Sequence, residues 1–237
     1  TFSSRGLGDV YKRQDFNWCN EGSNFGNAGG DHFADNSGSM KYVRIVEAGY
    51  RNDRSDKISA LTLVGVGHQT DISHIQISNA LSNGIELEGG TLDFSHLVYS
   101  SVYGADLRTN RGFRGNGQFI LSQKPSTASA GQQVSAEQSN SIDSSSSDWG
   151  STYTQLAVAN VTLSGSAWLN NDTSSYQRPA GLRLANATTT RLYNSAIRDF
   201  DAGCLEINDR AIYHDGSVVE SYETNVSVGN SPVSYTH

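Results

Sequence analysis

The strongest constraint on this chain is an identity that recurs at an offset of 22 residues. Asp71-Ile-Ser-His-Ile-Gln-Ile77 returns as Asp93-Phe-Ser-His-Leu-Val-Tyr99, so Asp71, His74 and Ile75 reappear as Asp93, His96 and Leu97. A further step of 22 from Leu97 reaches Phe119, inside Gln118-Phe-Ile-Leu-Ser122. A second segment follows the first in each period. Ser82-Asn-Gly-Ile-Glu-Leu87 matches Val102-Tyr-Gly-Ala-Asp-Leu107 and, more loosely, Ser139-Asn-Ser-Ile-Asp-Ser144. Ala180-Gly-Leu-Arg-Leu184 precedes Ala202-Gly-Cys-Leu-Glu-Ile207 by the same 22, pairing Gly181 with Gly203.

A unit this short cannot bury an apolar face alone, so neighbouring units must stack to make a core. Inside the units, Ile72, Ile75 and Ile77, or Ile85 and Leu87, alternate with polar Gln76 and Glu86, as half-buried strands do. The fixed leucine spacing of leucine-rich repeats is missing, and an immunoglobulin-like sandwich would show turns without an offset identity. The expected fold is all-β, a right-handed parallel β-helix with coils of about 22 residues and loop insertions. Met40 to Val46 and Ile58 to Val66 form an earlier coil on this reading. The composition agrees, with 36% hydrophobic and 17% charged residues and 24 Gly, which suits short strands joined by tight polar corners.

Two stretches break the period: residues 124–150, which are Ser-rich, and residues 166–179. Both read as insertions, which on a repeat scaffold carry either the specific function or solvated decoration. Residues 1–14 and 231–237 resemble translated sequencing-adapter read-through and are set aside from the fold. The expected domain is then a single β-helix over residues 15–230, truncated at both ends. Cys19 and Cys204 lie too far apart in a solenoid to favour a disulfide, which needs Cα atoms within about 7 Å, and Cys204 reads as a small core residue.

The formal charge of -7 and the lack of clustered Lys and Arg argue against nucleic acid. No apolar run approaches the roughly 18 residues of a membrane helix. Gly89-Gly90 and Gly29-Gly30-Asp31 lack the lysine and the strand-to-helix setting of a phosphate loop, and no Gly-x-Ser-x-Gly elbow occurs.

Stacked coils turn equivalent positions into ladders about 4.8 Å apart. The repeat places Glu86, Asp106 and Asp143 in one outward acidic column, with Arg183 and Glu206 at the matching place in later coils. Carboxylates so arranged repel one another, and they form a candidate Ca²⁺ site. Arg108, Arg111 and Arg114 follow closely and are candidate catalytic bases together with Asp106 and Glu86, or else surface ion-pair partners of the column. His74 and His96 make a second column, readable as a metal or acid/base pair or as a stacked polar ladder. Asn79 and Ser101, with Asn83 nearby, make a third that turn geometry explains. Tyr99, Tyr103, Phe113, Trp149, Tyr153, Trp168 and Tyr176 are aromatics that either stack on sugars or staple insertions to the barrel. Of these, Trp149, Tyr153, Trp168 and Tyr176 are the candidate binding residues.

Asp35-Asn-Ser-Gly-Ser-Met-Lys-Tyr-Val-Arg-Ile45, Val64-Gly-Val-Gly67, Gly84-Ile-Glu-Leu-Glu-Gly-Gly-Thr91, Asn160-Val-Thr-Leu-Ser-Gly165 and Gly203-Cys-Leu-Glu-Ile207 resemble the β-helical repeat region of bacterial, often marine, surface lipoproteins and secreted proteins. The resemblance covers residues 35–207 and implies the fold and an extracellular or cell-surface location. Such proteins typically carry an acidic pair where this chain has Ser82 and Asn83. Two classes of function follow. One is a non-catalytic surface scaffold for adhesion or glycan binding, with an extracellular polysaccharide or a cell-surface molecule as partner. The other, by likeness to β-helical polysaccharide lyases and hydrolases, is an enzyme that pairs Ca²⁺ with an arginine base.

Overall fold

In the computed structural model, residues 32–51, 57–124, 142–144, 154–165, 180–185, 188–200 and 203–207 are described, together with four short strands outside these ranges. Seven strands form one sheet: β1 (Phe2–Ser3), β5 (Leu61–Val64), β7 (Ile85–Glu88), β9 (Leu107–Asn110), β11 (Ile142–Ser144), β13 (Ala180–Leu184) and β16 (Gly203–Ile207). Eight others form a second: β2 (Ser39–Val46), β6 (Asp71–Ser78), β8 (Phe94–Ser100), β10 (Arg114–Gln123), β12 (Thr154–Ser164), β14 (Thr188–Tyr193) and β19 (Val226–Gly229) in a row, with β15 (Ala196–Arg198) also on β12. Two antiparallel ribbons stand apart, β3 (Tyr50–Arg51) with β4 (Lys57–Ile58) and β17 (Tyr213–Asp215) with β18 (Val218–Glu220). Every pairing within the two large sheets is parallel.

The chain alternates between the two sheets as it climbs, which makes it a parallel β-helix and bears out the expected fold class. Its core lies between them. From the first sheet come Leu61, Leu63, Ile85, Leu87, Leu107, Ile142, Leu182 and Leu184, and from the second Ile72, Ile75, Ile77, Phe94, Leu97, Tyr99, Ile120, Val158, Val161 and Leu163, all buried. Burying such a side chain fully contributes about 1.5–3 kcal/mol, so each coil is stabilised mainly by its neighbours. Gly117 stands in register with Phe94, and a Cβ there would come within 2.2 Å of the phenyl ring. The missing side chain leaves room for that ring.

Register departs from the sequence reading in instructive ways. The step is 22 from Ile72 to Phe94, but 23 from Leu97 to Ile120 and from Leu182 to Leu205. Leu97 therefore stacks on Ile120 and not on Phe119, and Gly181 does not align with Gly203, which pairs with Ala180. Coils with insertions are longer: Ile142 lies 35 residues after its partner Leu107, and Val158 lies 41 after Gly117. The stretch read as insertion 124–150 contains β11, a full member of the first sheet, while residues 166–179 lie outside the described residues. Residues 1–14, set aside on sequence grounds, contribute Phe2–Ser3, which pairs with Leu63 and Val64. Cys204 sits in the core as a thiol, its Sγ 3.2 Å from the Ile197 carbonyl oxygen, and Cys19 lies outside the described residues.

Candidate functional site

On the first sheet, the face opposite the core carries one charged column. Backbone pairing aligns Thr62, Glu86, Arg108, Asp143, Arg183 and Glu206. The expected carboxylate column is thus corrected. Asp106 is not in it, Arg108 takes its place, and charge alternates in sign from Glu86 to Glu206. The slip arose because Gly84-Ile-Glu-Leu87 and Gly104-Ala-Asp-Leu107 look alike at an offset of 20, whereas the sheet pairs Ile85 with Leu107. Alternation replaces repulsion by attraction: Arg108 Nη1 lies 3.1 Å from Glu86 Oε1, and Arg183 Nε lies 3.5 Å from Glu206 Oε1.

Beside this column stands a buried carboxyl pair that sequence reasoning did not single out. Glu86 and Glu88 project from the same side of β7 because strand side chains alternate, and both are buried. Ser59 Oγ donates to Glu86 Oε2 at 2.5 Å. Arg111 Nε lies 2.8 Å from Glu88 Oε2, yet that oxygen receives no well-directed hydrogen bond. Burial, the neighbouring Glu86 charge and a hydrogen bond shared with Glu86 push the Glu88 carboxyl up to about 8, against the opposing pull of Arg108 and Arg111. Glu88 therefore holds a proton at neutral pH. The signal available in the sequence was the Glu-x-Glu spacing inside a strand.

Asp106 belongs to the interior. Lys124 Nζ donates to Asp106 Oδ1 at 3.1 Å and to the carbonyls of Gly104 (2.6 Å) and Val102 (3.3 Å), while Ser122 Oγ donates to Asp106 Oδ2. Lys124 and Asp106 are both buried. Burial lowers the Lys124 ammonium from its usual value and Asp106 opposes that, while burial and Asp106 together push the Tyr99 phenol well up. This ion pair pins one corner of a coil. Lys124, read as the start of an insertion, is part of that corner.

The three arginines do not converge. Arg108 holds Glu86, Arg111 holds Glu88, and Arg114 opens β10 on the other sheet, exposed. Asp71 pairs with Lys41, and Asp93 Oδ1 accepts from the Asn116 backbone and side-chain nitrogens at 2.9 and 2.8 Å. The donor set proposed for Ca²⁺ is not brought together, since Asp106 faces the core while Glu86 is on the opposite face of the sheet. Among the described residues no three His, Cys, Asp or Glu side chains are grouped so as to hold a metal ion.

The second sheet carries the open site. Tyr42, His74, His96, Phe119 and Asn160 all adopt left-handed backbone geometry, with φ between 55° and 59°, and Asn194 continues the column at 44°. Each is skipped by the pairing ladder, as Lys41 pairs with Ser73 and Val43 with Ile75. The left-handed residue adds one position to every strand at the same level, which is why core residues in these strands are spaced three and then two apart, as in Ile72, Ile75 and Ile77. The rings stack in series: Tyr42 on His74 at 4.6 Å, His74 on His96 at 4.3 Å and 5° between planes, and His96 on Phe119 at 4.8 Å. Asn194 Nδ2 donates to Asn160 Oδ1 at the far end.

His74 and His96 are thus the middle of an aromatic ladder, and Phe119, misplaced by the 22-residue count, is its third rung. Alongside runs a groove of about 610 Å³, where Gln76, Val98, Leu121 and Thr162 flank the rings. Tyr42 is 79% exposed, Leu121 49%, Phe119 46% and Val98 37%, which makes an apolar strip along the rings. Of the aromatics read from sequence as surface residues, Tyr99 and Phe113 are core side chains instead, 1% and 0% exposed, because each follows the inward phase of its strand or corner. Trp149, Tyr153, Trp168 and Tyr176 lie outside the described residues. Asn79 and Ser101 are left-handed corner residues as expected, and Asn83 Oδ1 accepts from the Ala105 amide of the next coil.

A solenoid of parallel strands with an exposed ring ladder on one sheet defines a β-helical scaffold protein. The chain belongs to the family described as pectate-lyase like beta helix domain, whose model matches residues 20–233. No curated protein and no solved structure matches it.

Proposed function

We propose that this protein is a non-catalytic β-helical scaffold of the bacterial cell surface or extracellular space that binds a glycan along the ladder groove. The observation that carries this reading is the exposed column Tyr42, His74, His96 and Phe119 with its flanking strip. A sugar chain offers C–H faces and hydroxyls in alternation, and the groove offers aromatic and aliphatic surface beside amides, imidazoles and a hydroxyl. Holding Tyr, His and Phe in left-handed geometry costs roughly 1–2 kcal/mol each. Such strain concentrates where a surface serves a ligand.

Scaffold is favoured over lyase by the same geometry. Arg108 and Arg111 stand against the buried carboxyl groups of Glu86 and Glu88, Asp106 is tied to Lys124, and the open groove is lined by none of them. A glycan microarray probed with the chain and with Phe119→Ala tests the reading. Binding to some glycans that falls at least tenfold in the variant is expected. Absence of binding to every glycan, or binding indifferent to Phe119→Ala and Tyr42→Ala, would overturn it. The location rests on family membership and on the acidic composition rich in small polar residues. Protease treatment of intact cells expressing the gene should degrade the protein, and full protection would refute a surface location.

A further inference from the structure

Resting on the glycan reading above, we infer that the ladder groove takes a sugar chain carrying an oxyanion at one end, a carboxylate or a sulfate, and that Arg44 on β2 receives it. Two outward rows run side by side across the coils. One is the ring ladder of Tyr42, His74, His96 and Phe119. In the other, backbone register aligns Arg44 with Gln76, Gln76 with Val98 and Val98 with Leu121. Gln76, Val98 and Leu121 line the groove, and Arg44 continues their row one strand step away. From β2 to β10 this row spans about 14 Å and passes from cation through amide to aliphatic side chain. A sugar chain laid along it meets different chemistry at its two ends.

On β2, exposed Arg44 follows exposed Tyr42 by two residues, so a sugar ring stacked on Tyr42 holds its substituents within reach of the guanidinium. The guanidinium presents a planar fork of donors that matches paired oxyanion oxygens, and it stays charged throughout the physiological pH range. Of its charged neighbours, Lys41 on the far side of Tyr42 pairs with Asp71. Glu47 stands at the corner beyond Val46, where its amide donates to the Ser78 carbonyl. Toward β10 the chemistry changes. Val98, Phe119 and Leu121 offer exposed apolar surface to sugar C–H faces, and an oxyanion set against them would be desolvated at a cost. The favoured orientation therefore puts the anionic end of the ligand on Arg44 and its uncharged units on the apolar side chains.

Calorimetry on the full chain at about pH 8, where free imidazole is neutral, uses three probes of equal length. They are a neutral β-linked glucose oligomer and the same oligomer with one terminal unit either oxidised to the uronate or sulfated. At least one anionic probe should bind at least tenfold tighter than the neutral one, and the two anionic arms tell which oxyanion the ligand carries. This preference should shrink severalfold as salt rises from about 0.05 to about 0.5 M, because the ion pair is exposed. Arg44→Gln should bring the preference close to unity, whereas Arg44→Lys should keep part of it. Equal binding of all three probes, a preference indifferent to salt, or one that persists in Arg44→Gln folded by circular dichroism would overturn this inference and leave glycan binding standing. So would array binding confined to neutral glycans. If the folded chain binds none of the probes and no glycan on the array, both the inference and the reading beneath it fail.

Discussion

Glu88 sets a pH dependence whose sign and size follow from its burial. The carboxyl is raised from 4.5 to about 8 by desolvation first and by Glu86 second. In the unfolded chain it loses its proton near 4.5, while the folded chain keeps it to about 8. Between these values the native state binds more protons, so stability declines as pH rises, by about 1.4 kcal/mol per pH unit. A displacement of about 3.5 units corresponds to roughly 5 kcal/mol, present below pH 4.5 and lost once pH passes about 8. Glu88→Gln keeps the shape and stays neutral, so it removes this slope. Urea unfolding of both proteins from pH 5 to 9.5 gives the difference directly. The variant should gain on the parent steadily from pH 5 to about 8 and then hold a constant advantage. Parallel stability curves over the whole interval would refute the protonated Glu88 and the buried carboxyl pair it belongs to.

Other expected outcomes rest on separate contacts. Lys124→Met should leave Asp106 buried without its cation and cost about 3–5 kcal/mol, whereas the double change Lys124→Met with Asp106→Leu should recover much of that loss in the same denaturation assay. Gly117→Ala drives a methyl into the Phe94 ring and should cost about 1–3 kcal/mol, and pairing it with Phe94→Leu should relieve part of the penalty. Arg108→Glu would set two like charges opposite each other at positions 86 and 108 and should lower the midpoint of thermal unfolding, an effect reduced when Glu86→Arg returns opposite charges to that pair.

The repeat made the fold legible because a solenoid stacks residues that are near one multiple apart, so spacing in sequence becomes adjacency in space. Asp71, His74 and Ile75 with Asp93, His96 and Leu97 sufficed for that, and they also placed the two histidines correctly one above the other. Counting alone failed where a coil gained one residue, because a shift of a single position exchanges the inner and outer faces of a strand. Phe119 thereby moved from the expected core row to the ladder. Asp106 is a different case: the likeness of Gly84-Ile-Glu-Leu87 to Gly104-Ala-Asp-Leu107 at an offset of 20 aligns it with Glu86, whereas the step of 22 leads from Glu86 to Arg108.

What the chain determined by itself was its solenoid character, the alternation of inner and outer residues, and the left-handed corners that Asn79 can tolerate. What only the tertiary structure decided was which charges meet. Glu88 keeps a proton because burial and Glu86 outweigh Arg108 and Arg111, and that balance depends on how four side chains from two strands and a turn pack together. The ring ladder likewise exists only once four strands lie in register, since no local pattern in any one of them makes a surface that a sugar chain could lie along.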